Sequence, residues 1–150
     1  MRIVSRLKRT IRRIVFPGSR KKLIHRKPQI KTSRNINVNS VNRLILSMVN
    51  RERRKRHINP VSFDRSLHIH AINWSKRMAH QRRLSHSGTI LENACMVPSR
   101  GSPTTIARNM FSCWKGSSPH WSWMMNPTIN RAAFAYTKNG KYAYGAYAFK

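Results

Sequence analysis

The end of the chain carries its most restrictive fold signal. Asn139-Gly140 separates two runs of aromatic and small residues, Phe134 to Thr137 and Tyr142 to Phe149. An Asn-Gly pair tolerates positive φ at both positions, as a two-residue type I′ turn demands, so these runs predict a β-hairpin. Strand alternation puts Tyr142, Tyr144, Ala146 and Ala148 on one face of the last strand and Ala143, Gly145, Tyr147 and Phe149 on the other.

Upstream the apolar period is helical. With Ser40 as N-cap, Val41, Leu44, Ile45, Met48 and Val49 form an i, i+3, i+4, i+7, i+8 stripe and predict a first helix. It runs into Arg51-Glu52-Arg53-Arg54-Lys55-Arg56, charges expected to be exposed on the last turn and beyond, where positive charge suits the helix dipole. Val61-Ser62-Phe63 reads as an extended piece. Asp64 then caps a second helix with Leu67, Ala71, Trp74 and Met78 on one face. An irregular stretch follows through Ser85-His86-Ser87-Gly88 and Pro98 to Pro103, after which Thr104 or Thr105 opens a third helix reaching about Trp114. Helices followed by a terminal hairpin predict an α+β layered domain.

Charge limits what such a domain meets. The 150 residues hold 31 Lys+Arg and only three acids, Glu52, Asp64 and Glu92, for a net charge of +28, yet 39% are apolar, enough for one modest core. A disordered polycation is therefore excluded for most of the chain, and polyanions are the expected partners, through salt-sensitive contacts. Residues 1–37 read as a separate basic arm and linker, and 38–150 as the folded domain. In the arm, Ile3, Leu7, Ile11, Ile14 and Val15 recur at helical spacing beside Arg6, Lys8, Arg9, Arg12 and Arg13, until Pro17-Gly18 stops the pattern. Such an amphipathic helix suits an anionic membrane surface, and the same composition also describes a solvated basic tail. No run in Met1 to Phe16 matches the apolar core of a cleavable signal, and none elsewhere approaches the about 20 apolar residues of a membrane span.

The order of motifs is more specific than any one of them. Val49-Asn50-Arg51-Glu52-Arg53, Phe63-Asp64-x2-Leu67, Trp74 with Met78, Ser85-His86-Ser87-Gly88, Glu92-Asn93, Trp114, Ser118-Pro119-His120, Asn126-Pro127 and the Asn-Gly hairpin follow one another over residues 40–150. This series resembles the SCP-like domain of the CAP superfamily (cysteine-rich secretory proteins, antigen 5, pathogenesis-related 1), in particular its microbial branch. The resemblance implies an α-β-α sandwich around a small antiparallel sheet, with an open cleft where histidines and glutamates meet. His86 and His120 match the histidines and Glu92 the first glutamate. Many members carry a second glutamate just after the tryptophan matched by Trp114; here Lys115-Gly116-Ser117 stands there.

Two imidazoles and a carboxylate can bind zinc or another divalent cation and leave a position open for water. They can equally brace the loops around the cleft, or, without metal, let Glu92 fix a histidine tautomer. His57, His68, His70 and His80 lie on or beside predicted helices with no acidic partner in view, and are expected to be surface or packing residues. Trp114, Trp121, Trp123, Met124 and Met125 gather around His120 as a core or cleft wall, or as a lipid groove of the sort known for some relatives. The family is mostly extracytoplasmic, which favours a bridge between Cys95 and Cys113; it would staple the Glu92 loop to the third helix and contribute about 3 kcal/mol in the chain-entropy model.

Three functions follow as expectations. The favoured one is a non-enzymatic binding or effector module outside the cytoplasm or at a membrane, held by its arm to an anionic membrane or cell-envelope polymer, with a lipid or peptide in the cleft. The second is a metal-assisted hydrolase of peptides or esters with Glu92 as base. The third is a basic nucleic-acid-binding protein, non-specific because no recognition helix, zinc finger or stacking sheet accompanies the charge.

Overall fold

The computed structural model describes residues 33–150, so the basic amphipathic arm, with Arg6, Lys8, Arg9, Arg12 and Arg13, lies outside the described residues. The elements are α1 (Ser33–Arg54), β1 (Ser62–Phe63), α2 (Arg65–Gln81), β2 (Glu92–Pro98), α3 (Pro103–Lys115), α4 (Ser118–Met124), β3 (Arg131–Asn139) and β4 (Tyr142–Phe149). They form a three-layer α-β-α sandwich, as the resemblance implies. The first helix begins earlier than its apolar stripe suggests, so Ser40 lies inside α1 rather than capping it.

The sheet order is β1-β3-β4-β2. β4 runs antiparallel to both β3 and β2, and only the two residues of β1 pair in parallel, Ser62 with Arg131 and Phe63 with Ala132. Both central strands are apolar on both faces because each face is covered. On one side Val41, Ile45 and Val49 of α1 and Ile106, Met110 and Trp114 of α3, each set spaced by four residues, close over Phe134, Tyr147 and Phe149. On the other, Leu67, Ala71 and Met78 of α2 pack on Ala133, Ala135, Ala146 and Ala148, whose single methyl groups let the helix lie close to the sheet.

The caps explain where the helices start. Asp64 Oδ1 accepts from the Leu67 N–H at 3.0 Å, and Ser102 Oγ accepts from the Thr105 N–H at 3.1 Å, with Pro103 in the first turn. α3 therefore opens one or two residues before Thr104 or Thr105. Three expectations need correction. The stretch read as irregular contains β2, and Ser118-Pro119-His120 opens the short helix α4. Asn139 pairs with Tyr142, so the hairpin turn is Gly140-Lys141. Positive φ occurs there only at Gly140 (59°), the type II′ pattern with glycine first, not the Asn-Gly type I′ pattern. Lastly, Glu52 and Arg53 are not exposed charges; both are buried.

Candidate functional site

Glu92 opens the edge strand β2, and its side chain is only 1% exposed. A buried carboxylate needs donors, and two converge on it. His70, one turn into α2, places Nε2 2.7 Å from Oε2; since a carboxylate only accepts, Nε2 carries the proton and donates. The Ser87 backbone N–H donates to Oε1 at 2.5 Å from the loop before β2. That loop is held in turn by Trp74, whose Nε1–H donates to the Ser85 carbonyl at 2.9 Å. Glu92 thus clasps α2 to the 85–91 loop at the start of β2. His70, read from sequence as a surface or packing residue without an acidic partner, is the direct partner of Glu92.

The expected histidines stand further out. His86 has its Nδ1 3.9 Å from Glu92 Oε1, beyond hydrogen bonding, with 60% of its side chain exposed. His120 is carried by α4, whose position next to β2 is fixed by the Asn93 side-chain amide donating to the His120 carbonyl at 3.0 Å. Burial, and then the neighbouring His86, lower the His120 pKa from its ordinary value, which favours the neutral ring. Its Nδ1 is buried without a partner, as is Oδ1 of Asn93.

The residues present do not fit a metal ion. Among the described residues, no group of three His, Cys, Asp or Glu side chains could hold one, so His86, Glu92 and His120 are not assembled as ligands. Each oxygen of the Glu92 carboxylate instead accepts a hydrogen bond from the protein, and His86 stands 3.9 Å away. The position after Trp114 is just as unlike a ligand. Lys115 turns its ammonium to Glu52 Oε2 at 3.4 Å and lies over the Trp121 ring, with Arg56 also 5.3 Å from that ring's centroid. Lys55 and Arg56 complete this cage at 3.1 Å each, and the hydrogen bond from Lys55, ahead of that from Arg56, lowers the Glu52 pKa to about 2 against opposing burial.

The tryptophans divide. Trp114 is fully buried and Trp121 packs edge-on to Phe111, whereas Trp123 is 40% exposed and stacks beside Phe149. Cys95 on β2 is buried and Cys113 on α3 exposed; they are free thiols in hydrogen-bond contact. The bond from Cys95 lowers the Cys113 pKa to about 6, and burial first of all raises that of Cys95. No described helix is long and apolar enough to cross a membrane.

Similarity to known proteins bears on the family and the fold. The family model described as CAP, cysteine-rich secretory protein family, matches residues 46–149. An outer surface protein of Borrelia burgdorferi superposes with a TM-score of 0.55 at 14% identity, over 71% of this chain and 90% of that one. An extracellular protein containing an SCP domain from Bacillus anthracis superposes with a TM-score of 0.53 at 17% identity, over 75% of this chain and 41% of that longer one. No curated protein matches the chain.

Proposed function

Because this chain belongs to the CAP, or cysteine-rich secretory protein, family, we propose that it is a non-enzymatic binding or effector module with the cleft of His70, His86, Glu92 and His120 as its ligand-facing surface. The observation that carries this reading is the state of Glu92. A general base needs an oxygen within reach of the proton it abstracts, and this carboxylate is enclosed and occupied by His70 and Ser87. The exposed group at the cleft is His86, suited to recognising a ligand. His120, whose surroundings favour its neutral ring, can serve as a wall of the cleft.

Work outside the cytoplasm or at a membrane surface suits the net charge of +28, and the two structural relatives are described as outer-surface and extracellular proteins. Anionic membrane or envelope polymer is the surface partner, engaged by the arm residues Arg6, Lys8, Arg9, Arg12 and Arg13. In an oxidising compartment the adjacent Cys95 and Cys113 thiols close a bridge between β2 and α3.

Two assays test this. Vesicles with 30% phosphatidylserine should sediment the full chain at low salt and lose it as salt rises, and removal of residues 1–37 should weaken the binding. Peptide and ester libraries should yield no turnover; turnover abolished by both His86→Ala and Glu92→Ala would instead establish a hydrolase. Base-sequence preference surviving removal of the arm would move the function to nucleic acid.

A further inference from the structure

The outer edge of β3 is only partly covered. β1 pairs with Arg131 and Ala132 and ends there. The Ser62 and Asp64 N–H groups donate to the carbonyls of Asn130 and Ala132. Backbone groups alternate sides along a strand, so those of Phe134, Tyr136 and Lys138 face the same edge, away from β4. At Phe134 a side chain takes the place of a strand. The Asn42 amide donates to the Phe134 carbonyl at 2.6 Å and accepts from its N–H at 2.8 Å. Beyond it, no described residue bonds the backbone of Tyr136 or Lys138 on this edge.

The open edge lies on a groove of about 410 Å³ lined by Val41, Ile72, Pro103 and Tyr136, with the exposed Lys76 and Lys138 bordering it. Unpaired edge groups are a template for an added strand. A second copy of this chain is a poor occupant, because the same lysines and a net charge of +28 would meet their like. The three carboxylates are engaged by Lys55, Arg56, Lys115, Lys150 and His70, which leaves Lys76 and Lys138 without an acidic partner among the described residues. We infer that the β3 edge binds an extended acidic peptide as an added strand. Its backbone pairs with Tyr136 and Lys138, its apolar side chains enter the groove, and its carboxylates meet Lys76 and Lys138. This site is separate from the histidine–glutamate cleft and does not depend on it.

Charge alone would draw any acidic peptide to this chain, so the test has to isolate the backbone. The probe is a fluorescein-labelled Val-Glu-Val-Glu-Val-Glu peptide, titrated into the full chain at 150 mM salt beside the same peptide methylated on every backbone nitrogen. Loss of the strand hydrogen bonds should weaken binding about tenfold at equal charge. The unmodified peptide should also slow hydrogen exchange at the amides of Tyr136 and Lys138. Tyr136→Pro, which removes a donor an edge strand can spare, should give a similar loss. Equal affinity of the two peptides with unchanged exchange at both amides would reduce the interaction to adsorption on a polycation and overturn the proposal. So would protection confined to another segment, or complete displacement by palmitate without amide protection, which would make the groove an amphiphile site.

Discussion

Arg53 shows how a chain so short of acids handles a buried charge. Its guanidinium is fully enclosed, and its donors go to the carbonyls of Asn59, Met124, Asn126 and Ile129 at 2.7–3.0 Å, tying the end of α1 to two loops. Arg53→Met should cost at least about 3 kcal/mol in urea unfolding, because several buried carbonyls lose their donor; a loss under about 1 kcal/mol would mean that water replaces the guanidinium. The burial was legible in principle: Arg53 stands four residues after Val49, on the Val41-Ile45-Val49 stripe. The surrounding run of Arg and Lys masked it. His70 was missed in the same way, three residues after Leu67 and four before Trp74, on the flank of a stripe already recognised. Glu52 gives a pH prediction. Its folded pKa of about 2 lies below the ordinary 4.5, so its contribution is complete above about 4.5 and lost as pH falls through 4.5 toward 2. The urea midpoint of the wild type should drop across that window, and Glu52→Gln should flatten the drop. An equal drop in the variant would assign the acid sensitivity to other groups.

At the scale of elements, sequence patterning found those that pack with a clean period and missed those placed by their partners. The three long helices and the hairpin have apolar stripes or alternation with turn chemistry between them. β2 has neither strong β-branching nor a long run; Glu92-Asn93-Ala94-Cys95-Met96-Val97-Pro98 becomes a strand by pairing along the whole of β4, and Pro98 is tolerated at the end of an edge strand. The turn type depended on register, which Asn-Gly alone does not fix. Gly145 tests how tightly the layers close. A Cβ there would lie 3.0 Å from Met110 Cε, nearer still to its sulfur, and 3.4 Å from a Phe134 ring carbon. Gly145→Ala should therefore cost about 1–3 kcal/mol, and much less in a Met110→Ala background. Additive losses in the double variant would show that the two residues do not collide.

Across the whole molecule, the order of motifs made the family readable, since the resemblance traced over residues 40–150 is matched by the family model over 46–149. That same resemblance left out the direct partner of Glu92. It matched Glu92 with His86 and His120, while the buried carboxylate is satisfied by His70 and the Ser87 amide, contacts that exist only once α2 lies against the start of β2. Glu92 is on this account a clasp that shapes a binding cleft. The most direct measurement is urea unfolding of the wild type and Glu92→Ala, each with EDTA and with equimolar zinc. A clasp predicts that the wild type is indifferent to zinc and that Glu92→Ala loses about 2–4 kcal/mol in both media, for two half-buried donors that lose a charged acceptor. A wild type stabilised by zinc, with that gain absent in Glu92→Ala, would contradict the account and make Glu92 a metal ligand.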